Sequence, residues 1–202
     1  IALGLIGELY SIEGHFQRAI EYLQKNLMLC EELGYQKGIA KALNTLGDVF
    51  YFTQAYDRSL YYYNRAIEVT RMINNRLVLG ASLAEKGLVL LALNRLEELK
   101  PVTQEAQAIA EALGNPDLVF ETRMLLAKQE HAHGAKEKAL QSLENLLQEV
   151  EELEEEAAIY YELFLLLPEV EKYRKSALQR YEELYASTPK YLFKTRLEAL
   201  QA

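Results

Sequence analysis

Apolar residues recur along this chain at three- and four-residue intervals, as in Leu43, Leu46, Phe50 and again in Leu60, Tyr63, Ile67. That is the period of a helix with one buried face. No segment shows sustained apolar/polar alternation between turn residues, as a half-buried strand would. The pattern is interrupted at Gly14, Gly34, Gln54, Asn74, Asn94, Gly114 and Gly134. Gly and Asn suit helix ends because they tolerate a left-handed backbone. The spacing predicts helices near 1–13, 16–33, 36–53, 56–73, 76–93, 96–113, 116–133 and 136–155. Pro116 falls at a first helical position, where its missing N–H costs nothing. A further pair is expected near 157–166 and 169–186, its first helix cut short by Pro168. A last helix follows Ser187-Thr188-Pro189 and runs toward Ala202 as a cap, with Lys190, Lys194, Arg196 and Glu198 on its outer face.

Four markers repeat at a spacing of 40 residues. One is a small residue: Gly7, Gly47, Gly87, Ala127. The second is a turn residue: Gly14, Gln54, Asn94, Gly134. The third opens the following helix: Ala19, Ser59, Leu99, Ala139. The fourth is a second chain stop: Gly34, Asn74, Gly114, Glu154. A position kept small at a fixed interval is a packing demand, and a recurrent demand marks a repeat architecture. The expected organisation is one all-α solenoid domain over 1–202. It has repeats at about 1–34, 35–74, 75–114 and 115–155, a degenerate repeat at 156–186 and a cap at 187–202. In the degenerate repeat Ala177, Tyr181 and Leu184 keep the second-helix pattern. By this pattern Gly87 sits where the two helices of the third repeat approach closely.

The run Leu46-Gly47, Phe50, Tyr56, Ser59, Tyr63, Ala66 resembles the tetratricopeptide repeat (TPR). That family places Leu-Gly, an aromatic, Ala, an aromatic and Ala at matching intervals. The first repeat matches through Leu3, Ile6, Gly7, Tyr10, Gly14, Ala19 and Leu23; the third keeps Gly87, Leu90 and Ala106; the fourth keeps Ala127, Gly134, Ala139 and Leu143. The usual TPR period is roughly 34 residues, so each helix here is nearly a turn longer. Extended repeats of this kind are similar to those of kinesin light chain and of bacterial TPR regulators. The resemblance implies a right-handed α–α superhelix of about five hairpins plus the C-terminal cap.

Composition agrees with that class. Half of the 202 residues are apolar, enough to bury a continuous core. No apolar run is long enough for a membrane span. The single cysteine, Cys30, leaves no internal disulfide framework and fits a reducing, cytoplasmic setting; it is expected to be buried. The net charge of −8 repels a phosphate backbone, so no nucleic-acid partner is expected. The chain begins in mid-helix at Ile1 without a methionine or a signal peptide and is expected to be a fragment of a longer protein. Its first helix is apolar nearly all round (Ile1, Ala2, Leu3, Leu5, Ile6, Leu9, Ile12), and such helices are buried on more than one side. A preceding repeat or a partner chain is expected to cover this edge.

Candidate chemistry is sparse. His131 and His133 stand two apart on a helix and face different ways, so they cannot share a metal as an i, i+4 pair could; His15 lies in a turn. The run Glu151-Glu152-Leu153-Glu154-Glu155-Glu156 reads as a solvated helix end, because continuous helical Glu cannot wrap a cation as a loop does. There is no phosphate-cradling loop after a strand and no nucleophile–base set. No enzyme activity, metal or cofactor is expected.

What remains is surface. In a superhelix of helix pairs the first helix of each pair lines the concave face, where such proteins bind. The TPR match places Glu8, Asn44, Asp48, Tyr51, Leu88, Leu91, Lys128 and His131 on that face. An Asn amide both donates and accepts, so Asn44 can hold a peptide backbone whatever its sequence. Asp48 would favour a basic or N–H-rich segment, Tyr51 would add contact area, and Leu88 and Leu91 would floor an apolar pocket. Tyr56 and Tyr63 fall on core positions of the repeat. The expected function is a non-enzymatic scaffold binding a peptide or protein segment, within a larger bacterial regulatory or signalling protein. The alternative is a self-association module that forms a homodimer.

Overall fold

The computed structural model describes residues 2–202; Ile1, named above in the first helix, lies outside the described residues. Among these there are eleven α-helices and no strand: α1 Ala2–Ile12, α2 Phe16–Glu32, α3 Gln36–Phe52, α4 Tyr56–Met72, α5 Arg76–Ala92, α6 Leu96–Leu113, α7 Pro116–Ala132, α8 Lys136–Leu147, α9 Leu153–Leu166, α10 Glu171–Ser187 and α11 Tyr191–Gln201.

One local device writes the repeat. Gly14, Gly34, Gln54, Asn74, Asn94, Gly114 and Gly134 all have positive φ, at 20-residue intervals. A residue in this region turns the chain out of the helix and lets the following N–H groups cap its last carbonyls. After α3, the N–H of Gln54 donates to Tyr51 O and that of Ala55 to Phe50 O, at 2.9 and 2.8 Å. The same closure recurs at Asn74-Asn75, Asn94-Arg95 and Gly134-Ala135. α6 is one residue longer and ends more simply, with Gly114 N donating to Ala110 O at 2.9 Å. Asn115 then caps α7, its Oδ1 accepting from Leu118 N at 2.9 Å.

The chain divides into two compact units. One comprises the residues up to Ser11 with His15–Leu125, the other Ile12–Gly14 with Leu126–Ala202. In the first unit, Ala19, Leu23 and Leu27 of α2 pack with Leu43, Leu46, Val49 and Phe50 of α3 and Ala66 of α4. Close helix approach depends on the small positions. A Cβ on Gly47 would stand 2.7 Å from the Tyr63 ring, and one on Gly7 would stand 2.7 Å from Leu23. Ser59 Oγ donates to Gly47 O at 2.9 Å and ties the same crossing. Gly87 departs from expectation: its Cβ would meet not α6 but Leu125 of α7, at 2.5 Å. The residue matching Leu23 and Tyr63 is Thr103, too short to fill the gap, and Leu125 enters instead.

In the second unit the core is Ala157, Tyr161, Ala177, Tyr181, Phe193 and Leu200, from α9, α10 and α11. Three expectations are corrected there. α8 ends at Leu147, not near 155, and Glu154 is no chain stop: it lies in the first turn of α9 with Glu155 and Glu156. Acidic residues are favourable at a helix N-terminus. These are also partnered, Glu154 with Lys190 at 2.7 Å and Glu156 with Arg180 at 2.5 Å. On the cap, Lys194 and Glu198 are exposed as expected, but Arg196 is half-buried, its guanidinium carbon 4.0 Å from the centre of the Tyr161 ring.

Candidate functional site

On α3 the apolar positions Leu43, Leu46 and Phe50 are buried, while Asn44, Asp48 and Tyr51, interleaved at spacings of four and three, are half-buried. Such spacings align side chains in one stripe. Each member of the stripe is already engaged within the first unit. Glu8 of α1 pairs with Lys41 at 2.9 Å. Asn44 reaches α5, where Ser82 Oγ lies 2.9 Å from its Oδ1 and 2.7 Å from Val78 O. A hydroxyl has a single proton to give, so Ser82 shares it between the two acceptors or gives it to Val78 while the Asn44 amide donates to Oγ.

Asp48 Oδ1 accepts a 2.5 Å hydrogen bond from Tyr63 Oη. Burial pushes the Asp48 carboxyl up to about 6; the Tyr63 hydrogen bond pulls against that shift and the negative charge of Glu8 adds to it. Tyr63 holds its proton far above the usual range, first through burial and then through Asp48 and Glu85. Glu121 is raised by partial burial, then by Asp117 and Asp48. Carboxylates on the first helices of successive hairpins therefore share one electrostatic field in this unit. Its apolar side is built by Tyr51, Leu88 and Leu91, which pack against one cluster around Leu60, Tyr63 and Leu90. The Tyr51 ring lies 5.9 Å from Tyr56 and 6.0 Å from Phe52, centre to centre.

Lys128 and His131 belong to the second unit. Lys128 Nζ pairs with Glu162 at 2.7 Å and His131 is exposed. Cys30 is buried. Two clefts lie in the first unit. One of about 220 Å³ is lined by Glu8, Lys41, Asn26, Cys30 and Tyr35. The other, about 440 Å³, is lined by Arg71, Asn75, Arg76, Glu105 and Ile109. Among the described residues no helix is long and apolar enough to cross a membrane.

Two partners escaped the sequence. Tyr63 was assigned to packing, yet its hydroxyl holds Asp48. Ser82, 38 residues from Asn44, carries no local signal; only its place on the first helix of the next hairpin could have suggested the pairing.

Residues 1–72 match the family model described as tetratricopeptide repeat. No curated protein matches the chain. Among solved structures it is similar to a Rap protein complexed with Competence and Sporulation Factor, at 14% identity, TM-score 0.70 and 98% of this chain. It is also similar to the apo form of RapI, at 12% identity, TM-score 0.71 and 98% of this chain. The chain spans 62% of the length of each of these two proteins. A kinesin light chain protein of Podosopora anserina with nearly identical TPR-like repeats matches at 15% identity and TM-score 0.64, over 93% of this chain and 94% of that one. Residues 1–72 thus match tetratricopeptide repeats by sequence, and the chain has the fold of a TPR-like helical solenoid.

Proposed function

We propose that this protein is a protein-interaction scaffold that binds an extended peptide segment bearing a basic residue along the stripe of Glu8, Asn44, Asp48, Tyr51, Leu88 and Leu91. It would do so within a larger bacterial regulatory or signalling protein in the cytoplasm. Tetratricopeptide repeats in general serve protein interaction, and one similar structure was solved with a factor bound. The observation that carries the finer reading is Asp48. Its carboxylate is held half-buried, near Glu8, at a cost to the fold when ionised, and Tyr63 supplies only one hydrogen bond. A cation from a ligand would offset that cost. Tyr51, Leu88 and Leu91 supply adjacent apolar area, and the Asn44 amide retains hydrogen-bonding capacity beyond Ser82.

A library of extended peptides with a fixed central Lys or a fixed central Asp tests this reading by fluorescence anisotropy. Selective binding of the Lys set is expected. Asn44→Ala with Tyr51→Ala should leave the helical signal unchanged and weaken binding by about 2 kcal/mol, and Asp48→Asn should erase the preference for Lys. Equal binding of both sets, or a double variant that binds like the wild type, would refute it.

A further inference from the structure

The interface of α2, α3 and α4 and that of α4, α5 and α6 are successive copies of one arrangement, and they differ in charge and in space. Glu31 of α2 pairs with Arg65 of α4 at 2.8 Å, and Arg71 of α4 pairs with Glu105 of α6 at 2.7 Å. Glu31 and Arg71 hold one repeat position, and Arg65 and Glu105 hold the other, so the signs reverse from one interface to the next. At four further matched positions the second interface is smaller or more positive: Asn75 stands for Tyr35, Ala108 for Glu68, Arg76 for Gln36 and Lys86 for Leu46. Over these positions Glu31, Arg65 and Glu68 give the first interface a net charge of −1, whereas Arg71, Arg76, Lys86 and Glu105 give the second +2. The chain as a whole carries −8.

The cleft of about 440 Å³ lies at the second interface. Leu79 and Ile109 give it a buried apolar floor, in one cluster with Leu118 of α7, so the chain is in place on both sides of it. Hydrogen-bond donors are in excess there. Arg71 spends only Nη2 on Glu105, 2.7 Å from each carboxylate oxygen, which leaves Nε and Nη1. Asn75 Oδ1 accepts from Val78 N, so its amide offers N–H groups. Beside the cleft, Lys86 follows Leu79 and Leu83 at spacings of four and three, in the stripe that reads Ile39, Leu43 and Leu46 on α3. Leu46 is buried and Lys86 is half-buried. Burial pulls the Lys86 ammonium below the ordinary lysine value, and Arg71 and Arg95 add to that effect; the acids that oppose it, Glu98 and Glu105, are already held by Arg95 and Arg71. Since leucine meets the packing demand at this position in α3, the charge of Lys86 answers some other demand.

We propose that this cleft binds a small organic phosphate monoester, its dianionic head held by Arg71 and Arg76 beside Lys86 and its apolar body resting on Leu79 and Ile109. A dianion matches the +2 of the site, and the volume lies in the range of small-ligand sites. Arg is suited to phosphate because its planar fork donates in pairs. The cleft is separate from the peptide stripe, and the inference does not depend on that reading.

Phenyl phosphate is the probe, followed at pH 7 through backbone amide shifts in two-dimensional NMR spectra. Saturable shifts at Asn75, Arg76 and Leu77 are expected. Benzenesulfonate, with the same ring and one charge, and inorganic phosphate, with the charge and no body, should each bind about tenfold more weakly. Arg76→Gln should weaken phenyl phosphate about tenfold, the scale of a charge-assisted hydrogen bond. Lys86→Leu should weaken it about threefold while raising the melting temperature of the free protein. Ala108→Glu restores the residue of the first interface at an exposed position; it should abolish binding and leave the circular dichroism of the wild type. The proposal is overturned by absence of saturable shifts, by either control anion binding as tightly as phenyl phosphate, or by Lys86→Leu or Ala108→Glu binding like the wild type. A hexaglutamate peptide that binds more tightly than phenyl phosphate would also overturn it, because the occupant would then be an acidic protein segment.

Discussion

The hairpins α3–α4 and α5–α6 and the hairpin α9–α10 with its cap solve the same problem by different means. The former keep the 20-residue beat of left-handed turns and bring helices together at small residues, with Gly47 under Tyr63 and Gly87 under Leu125. The latter has no left-handed residue after Gly134 among the described residues. It closes with aromatic rings and half-buried charge instead. Arg180 lies 4.4 Å from the centre of the Tyr160 ring, and Arg196 lies 4.0 Å from that of Tyr161. The repeated hairpins pack through backbone proximity, whereas α9, α10 and α11 pack through side chains that are apolar on one side and charged on the other. Arg suits that role, because its planar group stacks on a ring while keeping its donors.

The contrast can be broken at the glycine side first. Gly87→Leu should be the most damaging change, about 3 kcal/mol, since even a Cβ would lie 2.5 Å from Leu125 and overpacking on this scale is costly. Urea denaturation measures it, and an unchanged midpoint would show that α5 and α7 do not meet there. Second comes the arginine side. Arg196→Ala should cost about 2 kcal/mol through the lost cation–π contact and packing. Arg196→Lys should recover only part of it in the same assay. The smallest effect has the opposite sign. Burial raises Asp48 from 3.8 to about 6, so its ionisation penalises the fold, and wild-type stability should fall as pH climbs from about 4 to about 6. Asp48→Asn should therefore stabilise by about 1 kcal/mol at pH 7, less than the shift alone implies because the Tyr63 hydrogen bond weakens. That advantage should vanish below pH 4. Melting curves at pH 7 and pH 4 check both halves.

How much of this was legible follows from where the physics is local. Left-handed turns announce themselves, because Gly and Asn are the residues that tolerate them; the seven from Gly14 to Gly134 were readable from spacing. So were Gly7 and Gly47, and the burial of Tyr63. The end of α8 was not, because Glu is a good helix former and nothing around Gln148–Glu152 forbids a helix. The contacts of Glu154 with Lys190 and Glu156 with Arg180 lie 36 and 24 residues away in sequence. The Gly87 contact failed for a similar reason: one short residue, Thr103, let a different helix fill the space. The candidate stripe was legible in membership for α3, but its internal partners, Ser82 and Tyr63, are set by inter-helix geometry that no spacing within α3 encodes.

The ion pairs from Glu31 to Arg65 and from Arg71 to Glu105 have a consequence for assembly order. They join helices of adjacent hairpins, 34 residues apart in the chain, so the loops closed as the first unit forms are short. Short closures lose little chain entropy before contacts reward them, which makes folding fast for its size. Because the pairs reverse sign at successive interfaces, a hairpin that skipped its neighbour would set Glu31 of α2 against Glu105 of α6 and leave Arg65 and Arg71 without their acids. The alternation thus disfavours that mis-stacked arrangement, by the small amount that exposed ion pairs supply.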